Sequence, residues 1–230
     1  MYNGCMDNVA FIIPVYNEAQ VIKGVIEGVL KHCSNVICVD DGSTDSSLAE
    51  IQKTNAIAIA HPINMGQGAA LQTGIEFARL LKHCEYFVTF DADGQHRVSD
   101  AKAMVKSLEK QKYDIVLGSR FLGDTINMPL SKRLVLKMAV WFSNLTSGLK
   151  LTDTHNGLRA FNRRVAEELQ IRMPDMTHAS EILEIISRQK YRYREVPVTI
   201  EYSDYSRSKG QHLINAVNIA FDTVLRKVAR

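Results

Sequence analysis

Short runs rich in β-branched and aromatic residues, at 9–14, 36–40, 56–61, 86–91 and 114–119, alternate with stretches of helical periodicity at 18–31, 45–53, 66–81 and 99–111. No other feature constrains the fold as much. Runs such as "VAFIIP" and "YFVTF" are nearly continuous in apolar residues. Strands buried on both faces read this way, whereas half-exposed strands alternate. Such strands joined by helices predict an α/β domain, a mostly parallel sheet with helices on both sides. A length of 230 residues fits one such domain with a small appendage. Hydrophobic residues at 46% and charged residues at 23% are ordinary for a globular core.

The rhythm changes after about residue 123. A long helical stretch at 129–145 precedes the irregular segment "TSGLKLTDTHNGLRAF". A helix at 179–189, a strand in "YRYREVPVTI", the polar loop "EYSDYSRSKGQH" and a last helix at 213–228 complete the chain. Residues 1–122 read as a nucleotide-binding half, 123–210 as an acceptor half with a lid, and 211–230 as a C-terminal amphipathic helix. The net charge of +3 gives no case for nucleic acid. The N-terminal apolar run has no basic region before it and is broken at Pro14, so it is not a signal peptide. No apolar stretch approaches the ~18 residues that span a bilayer. Cys5, Cys33, Cys38 and Cys84 form no CxxC pair, as expected of reduced thiols in a cytoplasmic protein.

Ligands of open α/β sheets sit beyond the carboxyl ends of the strands. Three predicted strand ends carry polar clusters there: "PVYNE", "VDDGSTD" and "DADGQH". Asp45 is expected to cap the next helix, but capping does not explain all three clusters. Side chains two apart on a strand point the same way, so Asp91 and Asp93 are expected to project together. Two carboxylates suit a hard divalent cation, Mg²⁺ or Mn²⁺. An EF-hand is excluded, because Gly94 falls at loop position four and Lys102 at position twelve. A dinucleotide fingerprint is absent after the first strand, and no GK[ST] P-loop exists. Gly66 and Gly68 allow a tight turn into a helix whose N-terminus favours a phosphate.

Together "IIPVYNE", "VDDGSTD", "NMGQGAALQTG", "DADGQH", "VLGSRF", "TDTHNGLRAF", "REVPV" and "SRSKG" resemble, in order, the motifs of inverting family-two glycosyltransferases with the GT-A fold. The pattern is most similar to the polyprenyl-phosphate subgroup that includes dolichyl-phosphate mannose synthases. The resemblance implies that Pro14, Tyr16 and Glu18 line a nucleotide-sugar pocket and that Asp41 or Asp40 accepts a hydrogen bond from the base. It implies that Asp91 contacts ribose or metal, that Asp93 ligates the metal and that Gln95 completes its shell. Asp93 is thereby a catalytic candidate. Arg207 and Lys209 would close a lid over the diphosphate of a UDP- or GDP-sugar. Ser119, Arg120 and Arg133 would hold an acceptor phosphate. Asp153 either orients the acceptor or braces its loop.

The implied acceptor is a polyprenyl phosphate at the cytoplasmic membrane face. The alternative is a hydroxyl of a saccharide or lipid-linked glycan, which needs a carboxylate base; Glu181 and Asp153 are the candidates. A non-catalytic nucleotide-sugar-binding protein is a third reading, against which the D-x-D, Arg120 and Lys209 stand. His155 and His178 are read as structural. The last helix carries an apolar stripe and a basic cluster at Arg226, Lys227 and Arg230. It suits peripheral contact with anionic lipid, or packing on the domain or a second copy.

Overall fold

The strongest apolar run becomes the central strand. In the computed structural model, which describes residues 6–111, 113–126, 128, 130–173, 177–202 and 205, β1 (Val9–Val15) is buried at every position. It pairs in parallel with β2 (Asn35–Asp40) on one side and β4 (Tyr86–Thr89) on the other. The chain passes from β1 through α1 (Ile22–Leu30) to β2, then through α2 (Ser47–Gln52) to the edge strand β3 (Ile57–Ala60). It then returns through α3 (Gln67–Ala78) to β4 on the opposite side of β1. The direction of winding therefore reverses between β1 and β4, and such a reversal opens a crevice at the carboxyl ends of the strands.

Beyond β4, helix α4 (Val98–Gln111) leads to β5 (Ile115–Ser119). Two-residue β6 (Thr125–Ile126) and α5 (Leu130–Ser147) follow, and the chain then turns back as β7 (Arg159–Asn162). Strand β7 lies antiparallel between β4 and β5. Helices α6 (Arg163–Glu168) and α7 (His178–Arg188) precede β8 (Tyr193–Pro197), which is parallel to β5, and β9 (Ile200–Glu201), which pairs with β6. The main sheet runs β3-β2-β1-β4-β7-β5-β8. Alternate faces of the strands feed two apolar layers. One centres on Phe11, Ile26, Phe90 and Met104; the other centres on Ile12, Leu71, Phe87 and Ile182.

The expected α/β sheet with helices on both faces is present, and the five early strands and four early helices fall where the periodicity places them. Three features differ from the sequence reading. Strand β4 ends at Thr89, where its partners β1 and β7 also stop pairing with it. Asp91 and Asp93 therefore lie in a turn, and strand alternation does not orient them. The segment read as irregular contains β7. The single predicted strand at 191–200 is two strands, β8 and β9, with Val198 and Thr199 between them. Cys33, Cys38 and Cys84 are buried thiols outside any disulfide, as core-filling cysteines should be. No helix among the described residues is long and apolar enough to cross a membrane. The predicted last helix, with Arg226, Lys227 and Arg230, lies outside the described residues, as do Arg207 and Lys209.

Candidate active site

Parallel strands β1, β2, β4 and β5 deliver their carboxyl ends to one edge of the sheet, and antiparallel β7 begins at that same edge. The loops "PVYNE", "VDDGSTD", "DADGQH", "SRF" and "THNGLR" therefore converge. Among the described residues, five buried side-chain atoms have no hydrogen-bond partner. Four of them, Asp40 Oδ1, His96 Nδ1, Asn156 Nδ2 and an Arg159 guanidinium nitrogen, belong to these loops and strand ends. Buried polar groups are almost always paired in a finished core, so this concentration marks a surface built for a ligand.

The first two loops are locked to each other. Asn17, with φ 55° in the left-handed region, accepts from the backbone N–H of Thr44 at 2.8 Å through its side-chain oxygen. The N–H groups of Asn17 and Glu18 donate to the hydroxyls of Ser43 and Ser47. Asp45 lies one position before the helix cap expected of it: Ser46 is the N-cap, and Asp45 accepts from Ser47 N–H at 2.9 Å. Pro14 is buried within β1 and Tyr16 is exposed, so only Tyr16 presents a side chain to solvent. Glu18 accepts from the Tyr205 hydroxyl at 2.7 Å, which ties the start of the "YSRSKG" loop to this side of the crevice.

Adjacent Asp40 and Asp41 have different surroundings. Asp41 accepts from the N–H groups of Met65 and Gly66 at 2.9 and 2.7 Å and pairs with His61 at 2.7 Å. It thus fills the N-terminus of α3, the position that the sequence reading offers to a phosphate. Gly66, at φ 91°, makes this approach possible. Asp40 spends only Oδ2, on Ser43 N–H, and keeps a buried Oδ1 free. Of the two candidates for contact with a nucleotide base, Asp40 is the one with an oxygen that no described group bonds.

Asp91 accepts from His96 Nε2 at 2.9 Å and from the Gln67 side-chain amide at 3.3 Å. Burial pushes its carboxyl up, but the His96 hydrogen bond and the charges of His96, Arg159 and His178 outweigh burial and hold it below the usual range. Gly157 packs on this carboxylate so closely that an added Cβ would overlap it. Asp93 is pushed up to about 6, first by burial and then by the charge of Asp91. Gln95 donates both its backbone N–H and its side-chain amide to Asp93. Among the described residues no group of three or more His, Cys, Asp and Glu side chains is arranged to hold a metal. Two carboxylates and an amide oxygen are nonetheless the hard donors that Mg²⁺ or Mn²⁺ takes when phosphates and water complete its shell. The mutual repulsion that raises Asp93 is what a divalent ion relieves.

On the β5 side, Ser119 is fully buried, its hydroxyl bonded to Thr152 at 2.6 Å and accepting from the N–H groups of Phe121 and Leu122. The hydroxyl expected to meet an acceptor phosphate is thus enclosed and already hydrogen-bonded within the protein. Arg120 is also buried. Its Nε donates to Asp153 at 2.6 Å and its terminal nitrogens to the Tyr202 hydroxyl and the His155 carbonyl. Asp153 additionally accepts from the N–H groups of Arg120 and His155, so it braces this loop. Arg133 is exposed on α5. Glu181 accepts from the N–H groups of Arg172 and Met173. His155 is pushed down to about 4 by burial and by Arg120 and Arg159, against the pull of Asp153. His178 is buried at the start of α7. Sequence reasoning missed Asn156, Gly157 and His96 as parts of the site. They stand inside recognisable motifs, but only the returning strand β7 shows that "HNG" lies against Asp91.

The profile of the family described as "Glycosyl transferase family 2" matches residues 10–170. The chain belongs to that family. This family 2 chain is 32% identical to an uncharacterised protein of Methanocaldococcus jannaschii over 96% of its own length and 93% of the relative's. It is 32% identical to UDP-N-acetylglucosamine–dolichyl-phosphate N-acetylglucosaminyltransferase of Methanococcus voltae, over 95% of the chain and 96% of the relative. Polyprenol monophosphomannose synthase of Mycolicibacterium smegmatis is 29% identical over 71% of the chain and 65% of the relative. Among solved structures, glucosyl-3-phosphoglycerate synthase of Mycobacterium tuberculosis with Mn²⁺, UDP and glucosyl-3-phosphoglycerate superposes with a TM-score of 0.72. It is 15% identical, over 95% of this chain and 77% of that one. The family 2 chain therefore has the GT-A fold and is a glycosyltransferase by family.

Proposed function

We propose that this chain transfers a sugar from a UDP- or GDP-sugar to a polyprenyl phosphate at the cytoplasmic face of a membrane, with inversion at C1. Two relatives carry names of that kind, a dolichyl-phosphate N-acetylglucosaminyltransferase and a polyprenol monophosphomannose synthase. In this reading residues 1–122 take the donor, residues 123–210 form the acceptor side and lid, and residues 211–230 approach the bilayer. Asp40 accepts from the base, Tyr16 and Glu18 flank it, and Arg207 and Lys209 close over the diphosphate. Asp91, Asp93 and the Gln95 side chain would hold Mg²⁺ or Mn²⁺. When bound, that ion stabilises the charge of the departing nucleoside diphosphate.

One observation carries the choice of acceptor. Both candidate bases, Asp153 and Glu181, are engaged by backbone N–H groups, and Asp153 by Arg120 as well. A hydroxyl acceptor needs a base to take its proton, whereas a phosphate oxygen is already an anion. It attacks C1 directly, the C1–O bond to the diphosphate breaks, and no proton moves. In this reading Arg133, exposed on α5, would hold that phosphate, and Arg120 would orient the loop through Asp153. The test supplies radiolabelled UDP- and GDP-sugars with polyprenyl phosphate or with the matching polyprenol. Labelled lipid should form from the phosphate and not from the alcohol. Transfer to the alcohol or to a saccharide hydroxyl, with none to the phosphate, contradicts the reading.

A further inference from the structure

Arg159 opens β7, the antiparallel strand inserted between β4 and β5, where it stands opposite Thr89 and Leu117. It is only 3% exposed. Arginine is almost never buried to that degree unless it is paired. Yet the two carboxylates whose charges act on it are paired with other groups, Asp91 with His96 at 2.9 Å and Asp153 with Arg120 at 2.6 Å. One buried nitrogen of the Arg159 guanidinium has no hydrogen-bond partner among the described residues. Burial works against the charge of this group, and the fields of Asp91 and then Asp153 support it. A second contact ties the same stretch of chain to Asp91: Gly157, two residues ahead of Arg159, packs directly on that carboxylate.

A buried cation without a direct partner is costly, and its position says what it does. A divalent ion that settles on Asp91 and Asp93 must come close to a fixed positive charge. The repulsion between a unit charge and a doubly charged ion is strong where water is excluded. A nucleoside diphosphate reverses the balance, because its negative oxygens attract the metal and the guanidinium together. We propose that Arg159 is an internal counter-cation that keeps bare divalent ions off Asp91 and Asp93 and makes their uptake contingent on an anionic ligand, the diphosphate. The inference rests on the proposed assignment of Asp91 and Asp93 to the metal, and it adds the residue that sets the order of loading. Arg159 acts through the field at the aspartates and need not touch the ion.

The test titrates Mn²⁺ into the full chain without nucleotide, and again with saturating UDP or GDP, and reads free Mn²⁺ by electron paramagnetic resonance. Wild type should bind Mn²⁺ alone at least about tenfold more weakly than with the matching diphosphate. Arg159→Met and Arg159→Gln remove the charge at similar length. Each should bind Mn²⁺ alone at least about tenfold more tightly than wild type, and the extra gain from diphosphate should shrink in proportion. Arg159→Lys keeps the charge and should behave as wild type. Asp93→Ala added to Arg159→Met should abolish the gain, which places the ion at the aspartates. A residue that merely fills the core would give the opposite sign, since its loss loosens the site and weakens Mn²⁺. Circular dichroism and melting curves confirm that each variant folds. The proposal is overturned if the folded neutral variants bind Mn²⁺ alone no better than wild type, or if Arg159→Lys gains as much as Arg159→Met. It is overturned without any variant if wild type binds Mn²⁺ as tightly alone as with diphosphate. Wild type that takes up Mn²⁺ with diphosphate, beside neutral variants that gain nothing, sinks this inference and leaves the donor reading standing. Neutral variants that take up Mn²⁺ alone, beside a wild type indifferent to UDP and GDP, support the counter-cation and contradict the donor reading.

Discussion

Asp40 and Asp41 show how two neighbouring carboxylates divide their work. Asp41 is a fixed anion at the start of α3, satisfied by two N–H groups and His61. Asp40 keeps a buried oxygen with no partner among the described residues, the oxygen that the proposed function gives to a nucleotide base. Asp41→Asn should therefore cost about 1.5–3 kcal/mol of stability, the worth of a charge-assisted hydrogen bond, and leave nucleotide affinity of the folded fraction close to wild type. Asp40→Asn should do the reverse, with melting nearly unchanged and nucleoside diphosphate affinity lowered about tenfold, as when one such bond is lost. Melting curves and nucleotide titrations on the two variants check this directly. His155 supplies a pH effect of definite sign. Its folded value of about 4 lies below its ordinary 6.5, so the unfolded chain binds more protons between these values. Stability contributed by neutral His155 is then present above pH 6.5 and is lost as pH falls toward 4. In His155→Gln the fall of melting temperature over that window should be shallower than in wild type.

Between elements, the pair that matters is Arg120 with Asp153, which joins the end of β5 to the loop ahead of β7. Both side chains are buried, so removing one leaves the other charged and unpaired. Arg120→Ala or Asp153→Ala should each destabilise by about 3–5 kcal/mol, and the double variant by much less than the sum. A double-mutant cycle by urea unfolding measures the coupling; additive losses would mean that the two do not act as a brace. The same region shows what the sequence could and could not reveal. Strands β1, β2, β4 and β5 were legible because burial on both faces forces nearly continuous apolar runs, and the helices between them kept their periodicity. Strand β7 was not, because its four residues "RAFN" begin with a charged side chain and follow the polar segment "TDTHNG". Only the slot between β4 and β5 makes them a strand. The D-x-D motif was legible as chemistry but not as geometry. Its orientation comes from His96, Gln67 and the lack of a side chain at Gly157, and none of these contacts follows from strand alternation.

For the molecule as a whole, the winding reverses between β1 and β4, and the carboxyl ends of those strands carry Tyr16, Glu18, Asp91 and Asp93. The family motifs follow from that topology, since the reversal opens the crevice and the loops furnish it. The central claim is that Asp91 and Asp93, of which Asp93 is raised by burial and by the charge of Asp91, take a cation that arrives with a nucleoside diphosphate. Electron paramagnetic resonance of free Mn²⁺ tests it most directly, with UDP or GDP titrated into the chain at neutral pH. The account predicts that the free Mn²⁺ signal falls on addition of protein and the matching diphosphate together. It also predicts that Asp93→Ala, with an unchanged circular dichroism spectrum, abolishes that uptake. Nucleotide binding of equal affinity in EDTA, or undiminished Mn²⁺ uptake by Asp93→Ala, would contradict it.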